Sequence, residues 1–217
     1  MGKKDLKKKA EWACAELEKF YPEAQCSLTY KKPHELMIAG RLSAQCTDAR
    51  VNIVTKELFE KYRSINDFAN ADVSDIERII MPCGLYKTKA LSIVTMCRQI
   101  IDDFGGEIPD TIEELTQLSG IGRKTANLIM GDVFHKPAVV TDTHCIRICL
   151  RLGLTDSKDP AKVEKQLREI LPPEKSSDFC HRLVNFGREV CTARKTHCEN
   201  CPLKGECNYG KKIVSRG

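Results

Sequence analysis

TIEELTQLSGIGRKTANLIMGDVF, residues 111–134, holds two helical patterns joined by a glycine-rich break. Ile112, Leu115 and Leu118 follow helical spacing, which stops at Ser119-Gly120-Ile121-Gly122. A second helical pattern, Ala126, Ile129, Met130 and Val133, begins at once. Two glycines flanking one apolar residue make a tight hairpin. Glycine supplies backbone angles that other residues avoid, and Ile121 is free to plug the space between the helices. The turn leaves N–H groups uncovered at the start of the second helix. Those donors and the positive end of the helix dipole bind a phosphate without reading base sequence.

This is the helix-hairpin-helix pattern, although L-x-G-x-G alone also describes an ordinary glycine-capped helix pair. Gly120, Gly122 and Arg123 are its candidate phosphate-binding residues. Lys124 sits two residues beyond the second glycine. One reading is a solvated lysine touching phosphate. The sharper reading is a nucleophilic amine. Attack requires the neutral form, and an ammonium near a helix N-terminus beside Arg123 is disfavoured electrostatically. Such an amine also needs a carboxylate to take up a proton and stabilise developing positive charge. Asp142 in AVVTDTHCIRICLRLG is the candidate. Its place before a helical run reads equally as an N-cap, and a cap can still offer its second oxygen to a reaction.

Further along, CTARKTHCENCPLKGEC places Cys191, Cys198, Cys201 and Cys207 within 17 residues. Four thiolates so spaced can surround one metal centre. Zinc ribbons usually pair two C-x2-C units, and only Cys198 and Cys201 form one. The 6-2-5 spacing suits a loop wrapped around a larger object such as a cubane iron–sulfur cluster, with zinc as the rival. The other eight cysteines are Cys14, Cys26, Cys46, Cys83, Cys97, Cys145, Cys149 and Cys180. They stand singly in helical patterns and read as small buried hydrophobes in a reducing cytoplasm.

The remaining composition narrows the class. The chain has 217 residues, 30% charged and 41% hydrophobic, which excludes a disordered or fibrous chain. No stretch approaches a membrane span. The opening MGKKDLKKKA has no apolar region after it, so no secretory signal is expected, and Leu6 breaks the myristoylation pattern. Net charge is +5, but residues 1–10 and residues 191–217 each carry a surplus of +4. Basic ends suit a polyanion partner. Helical spacing recurs nearly throughout, as in Leu6, Ala10, Ala13, Leu17 and Phe20; Val51, Val54, Leu58, Phe59 and Tyr62; and Ile93, Val94, Cys97, Ile100, Ile101 and Phe104. About ten short helices and no sheet are expected, with prolines at helix starts or connections.

LSGIGRKTANLIM, VTDTHCIRI and C-x6-C-x2-C-x5-C, in this order and at these distances, resemble the endonuclease III family of DNA glycosylases. RLSAQCTDARVN (41–52) and GLYKTKA (84–90) extend the resemblance, which covers about residues 25–207. It implies an all-α, two-domain helix-hairpin-helix fold with a [4Fe-4S] cluster loop and a cleft between the domains. A six-helix barrel would span 26–136, and a discontinuous cluster domain would join 1–25 to 137–217. Carried over by position, Lys124 is the nucleophile, Asp142 the catalytic carboxylate, and Cys191, Cys198, Cys201 and Cys207 the cluster ligands. Gln45 and Leu85 are implied to wedge into DNA where the damaged base leaves. Arg194, Lys195 and Lys204 in the cluster loop would contact phosphate.

The implied activity is removal of oxidised pyrimidines such as thymine glycol, followed by strand cleavage through a Lys Schiff base. The implied partner is double-stranded DNA containing a damaged base or AP site. No membrane is involved, and a monomer in the cytoplasm, associated with the nucleoid, is expected. Related monofunctional enzymes lack the lysine and use a water activated by the aspartate. The adenine-specific branch usually carries a C-terminal extension, for which the ten residues after Cys207 leave no room. A non-catalytic DNA-binding module would have no need of Lys124 and Asp142 together.

Overall fold

The computed structural model describes residues 2–23 and 25–214. Among them the chain is helical, with short 3₁₀ turns and one isolated bridge between Cys191 and Thr196. It divides into two compact units, Cys26–Phe134 and Met1–Gln25 with His135–Gly217. Among the described residues no helix is long and apolar enough to cross a membrane.

The Cys26–Phe134 unit contains α1 to α7: Pro33–Leu42, Asp48–Lys61, Ile65–Ala69, Val73–Ile80, Tyr86–Phe104, Ile112–Leu115 and Arg123–Asp132. Their starts are written locally. Pro33 opens α1, where its missing N–H costs nothing. Thr47 caps α2, Asp72 caps α4 and Thr111 caps α6 by side-chain oxygens. Ser64 and Asp67 form a reciprocal capping box on α3. Gly105 ends α5 in the left-handed region, as a helix-terminating glycine should. The apolar faces read from the sequence are buried at Val51, Val54 and Leu58, and at Ile93, Val94, Cys97 and Ile100. The flanking Phe59, Tyr62, Ile101 and Phe104 are half-buried.

The other unit contains α8 (Lys3–Phe20), α9 (Thr143–Leu152), α10 (Pro160–Ile170), α11 (Ser176–Glu189) and α12 (Asn208–Val214). In α8 the face Ala10, Ala13 and Leu17 is fully buried, but Phe20 is exposed. Phe20 is the helix's last residue, so it lies beyond the packed turns. Arg182 of α11 is buried and its Nε donates to the Tyr21 carbonyl at 3.0 Å, while Lys175 pairs with Glu18 at 2.9 Å. These contacts tie the N-terminal helix to α11. Gly187 lets α11 approach α9 closely, because a Cβ there would meet His144 Nδ1 at 2.3 Å.

Of the eight single cysteines, six are buried, while Cys26 and Cys46 are half-buried. None of the twelve forms a disulfide. Burial pushes Cys14 and Cys97 up to about 12, so these thiols stay protonated and unreactive at neutral pH.

Candidate active site and cysteine loop

The hairpin forms as its glycines require. Leu115, Leu118 and Ile121 are buried, so the apolar residue between the glycines does plug the unit's core. Gly120 has φ +80°. A Cβ there would also meet Arg41 Cδ and Nε at 2.6 Å, so both angle and space exclude a larger residue. Gly122 is the N-cap of α7 and brings no side-chain cap of its own. Arg123 and Lys124 are the first two residues of that helix, and both side chains are exposed. Ala126 and Ile129 bury the opposite face. Gly40 in α1 supports the same helix, since a Cβ would meet Thr125 Cγ2 at 2.8 Å. Lys124 therefore projects from a helix start held on a rigid base, beside donors oriented for an anion.

Two more candidates lie in this unit. Gln45 follows α1 and Leu85 precedes α5. Both have left-handed backbone, φ 56° and φ 50°, which non-glycine residues rarely adopt. Leu85 is 56% exposed, a large apolar side chain held outward, and Gln45 is exposed too.

Asp142 belongs to the other unit. It is the N-cap of α9, with Oδ1 accepting from Cys145 N at 2.7 Å. The capping reading is therefore correct, and one carboxylate oxygen is committed to it. The side chain is half-buried.

The cysteine loop is held from α9. Arg147 Nη2 donates to the Cys191 carbonyl at 3.0 Å. Arg151 Nη1 donates to Cys191 Sγ at 3.2 Å and to the Thr192 carbonyl at 2.8 Å, and Nη2 reaches the Ala193 carbonyl at 3.2 Å. The guanidinium also lies 4.9 Å from the Tyr209 ring centroid. Gly210 N donates to Cys207 Sγ at 3.4 Å. Cys191, Cys198, Cys201 and Cys207 all line one small cavity, together with the apolar Phe186 and Leu203. Among the described residues no three His, Cys, Asp or Glu side chains converge on a point that one metal ion would fill. Arg151 draws the Cys191 thiol down against the larger upward effect of its burial. Arg194 and Lys195 are exposed on this loop, where Lys195 N donates to Thr192 Oγ1 at 3.1 Å.

Arg147 and Arg151 were not singled out in the sequence. Their signal is a pair of arginines four apart on the helix that follows Asp142, which places both on one face.

Residues 38–173 match the family described as HhH-GPD superfamily base excision DNA repair protein. Endonuclease III of Bacillus subtilis (strain 168) is 41% identical over 211 residues, covering 97% of this chain and 96% of the relative. Endonuclease III of Synechocystis sp. is 44% identical over 192 residues, covering 88% of each. A solved structure of a trapped endonuclease III–DNA covalent intermediate is 41% identical, covers 99% of both chains and superposes with a TM-score of 0.89. The chain belongs to the endonuclease III family, the DNA glycosylase/AP lyase branch of the HhH-GPD superfamily of base excision DNA repair proteins.

Proposed function

We propose that this enzyme excises oxidised pyrimidines, thymine glycol among them, from double-stranded DNA and then cuts the strand at the resulting site. The observation that carries the reading is Lys124, an exposed amine on the second residue of a helix whose start is built to hold a phosphate. A backbone phosphate on the hairpin brings the neighbouring sugar within reach of that amine. The base must first leave the stack, and a damaged base does so at lower cost.

Lys124 Nζ attacks the sugar C1′, and the bond from C1′ to the base breaks with the electron pair leaving on the base. Asp142 stabilises the positive sugar and accepts the proton shed by the amine. The ring oxygen then takes up that proton and leaves C1′ as the nitrogen lone pair forms the C=N bond, which gives a Schiff base. Loss of a C2′ proton and departure of the 3′ oxygen complete a β-elimination. Gly120, Gly122 and Arg123 hold the phosphate, while Arg194 and Lys195 hold a second stretch of backbone. Gln45 and Leu85 fill the gap left by the flipped nucleotide. The enzyme works as a monomer of two domains, in the cytoplasm on the nucleoid.

The donor set fits a [4Fe-4S] cluster. Four cysteines around one cavity match its four thiolate ligands. Zinc ribbons usually pair two C-x2-C units, whereas here only Cys198 and Cys201 form one. Cys191, Cys198, Cys201 and Cys207 would hold it, with Arg151 donating to the Cys191 sulfur and Gly210 N to the Cys207 sulfur. Bound there, the cluster cross-links the loop and adds about two negative charges, which the surrounding basic residues offset. Purified protein is expected to be brown, with absorption at about 400 nm and about four irons per chain. A colourless protein carrying zinc would refute this assignment.

The function is tested by incubating the enzyme with a duplex carrying one thymine glycol, with and without borohydride. Release of the base, a nicked strand and a borohydride-fixed protein–DNA adduct are expected. Base release with nicks seen only after alkali would instead indicate a water nucleophile. No release would remove thymine glycol from the substrate range.

A further inference from the structure

Lys89 lies one turn into α5 and is fully buried. Its Nζ donates three hydrogen bonds, to the carbonyls of Leu42 at 2.9 Å, Ala44 at 2.8 Å and Cys83 at 2.9 Å. An ammonium has three protons, so every donor is used. Among the described residues no carboxylate pairs with it, and only carbonyl dipoles offset a buried charge. Burial accordingly pushes its pKa down. Such an arrangement is poor economy for stability alone, because an apolar side chain of similar length would fill the space without the desolvation cost.

The three carbonyls share a location. Ala44 immediately precedes Gln45, and Cys83 lies two residues before Leu85. Among the described residues Gln45 and Leu85 are also two of the three non-glycine residues with positive φ, so each tip is strained and must be held by its surroundings. Lys89 is the atom-level link between the two tips, which are 40 residues apart in sequence. The link continues to the hairpin. Ser92 Oγ donates to the Lys89 carbonyl at 2.9 Å, and Arg41 Nε donates to Ser92 Oγ at 2.7 Å. Arg41 and Ser92 are the groups against which Gly120 packs.

We propose that Lys89 is a positioning residue that clamps the Gln45 and Leu85 tips in one fixed arrangement, so that both enter the duplex together when the damaged nucleotide is extruded. This rests on the reading of those two residues as wedges. Lys89 itself touches neither DNA nor the reacting atoms.

The test compares wild type with Lys89→Met, which keeps the length and removes every donor, and Lys89→Gln, which keeps two. Base release is measured under single-turnover conditions on two substrates. One holds thymine glycol in a fully paired duplex. The other holds it in a short unpaired bubble, where no base pair has to be opened. A 2-aminopurine opposite the lesion reports unstacking on binding.

On the paired duplex, Lys89→Met is expected to lose about tenfold or more, with Lys89→Gln between it and wild type; on the bubble, both stay within about twofold. The 2-aminopurine signal of Lys89→Met is expected to fall, as is that of Leu85→Ala. Equal losses on the two substrates, or no loss on either, would overturn the proposal. If Lys89→Met loses its helical circular dichroism, Lys89→Gln carries the comparison. If both unfold even in the cold, Lys89 holds the domain rather than the tips, and the proposal fails. If wild type releases no base, the substrate reading fails separately, while the 2-aminopurine signal still judges Lys89. A wild type that gives no unstacking signal overturns the proposal.

Discussion

Lys124→Gln is expected to abolish the borohydride-fixed adduct and to slow base release on the order of 10⁴-fold or more, the scale seen when a nucleophile is deleted from a catalytic unit. The amide cannot form an imine, so nothing remains for borohydride to reduce. The fold should be indifferent. Lys124 is exposed, and surface substitutions of this kind usually change stability by less than about 0.5 kcal/mol. Binding should also survive, because the proposed phosphate contacts at Gly120 and Gly122 are made by backbone, which the substitution leaves in place. Removal of one phosphate-facing cation lowers the slope of log affinity against log salt by about one at most. Adduct formation, melting temperature and salt slope are measured on the same preparation. An adduct that persists in the mutant would assign the Schiff base to a different amine. Its loss with intact binding would leave Lys124 as the nucleophile.

The second large effect separates the two roles of Asp142. Its Oδ1 caps α9 through Cys145 N, and the proposed chemistry needs its negative charge. Asparagine caps a helix about as well as aspartate, whereas alanine costs about 1 kcal/mol. Asp142→Asn should therefore melt close to wild type, less only the small helix-dipole contribution of the charge. Asp142→Ala should melt lower by a few degrees, about 2–4 °C per kcal/mol for a chain of this size. Activity should not follow stability. Both substitutions remove the proton acceptor and are expected to lower the rate of base release by about 10²–10⁴-fold. If Asp142→Asn keeps its full rate, the residue is a cap and nothing more. If both variants lose activity in proportion to their melting temperatures, the loss is structural.

The two predictions differ in how far each residue was legible beforehand. The place of Lys124, exposed at the start of a helix, was readable because its setting is local. Gly120-Ile121-Gly122 forces the turn, and the amine follows at a fixed offset on the helix that the turn begins. The four loop cysteines were readable for the same reason, since their spacing within 17 residues limits how far apart they can lie. Asp142 was readable both as a cap and as the carboxylate that an amine nucleophile needs, and nothing local ties it to Lys124, 18 residues away.

Helical class, the hairpin, the caps and the buried faces follow from the sequence by itself, because each depends on residues within one or two turns of one another. Phe20 marks the limit of that reasoning. It continues the apolar spacing of α8, yet it is exposed, because whether a helix end is covered depends on what packs there. Tertiary structure alone decided three further matters. It placed Gly40 against Thr125, and so seated the helix that carries Lys124. It laid Arg147 and Arg151 under the cysteine loop, about 40 residues away in sequence. It buried Lys89 among three carbonyls, two of them 45 and 47 residues distant. A lysine or arginine reads locally as a solvated surface residue. Its burial becomes favourable only when distant backbone oxygens converge on it, and the fold, not the local pattern, brings them together.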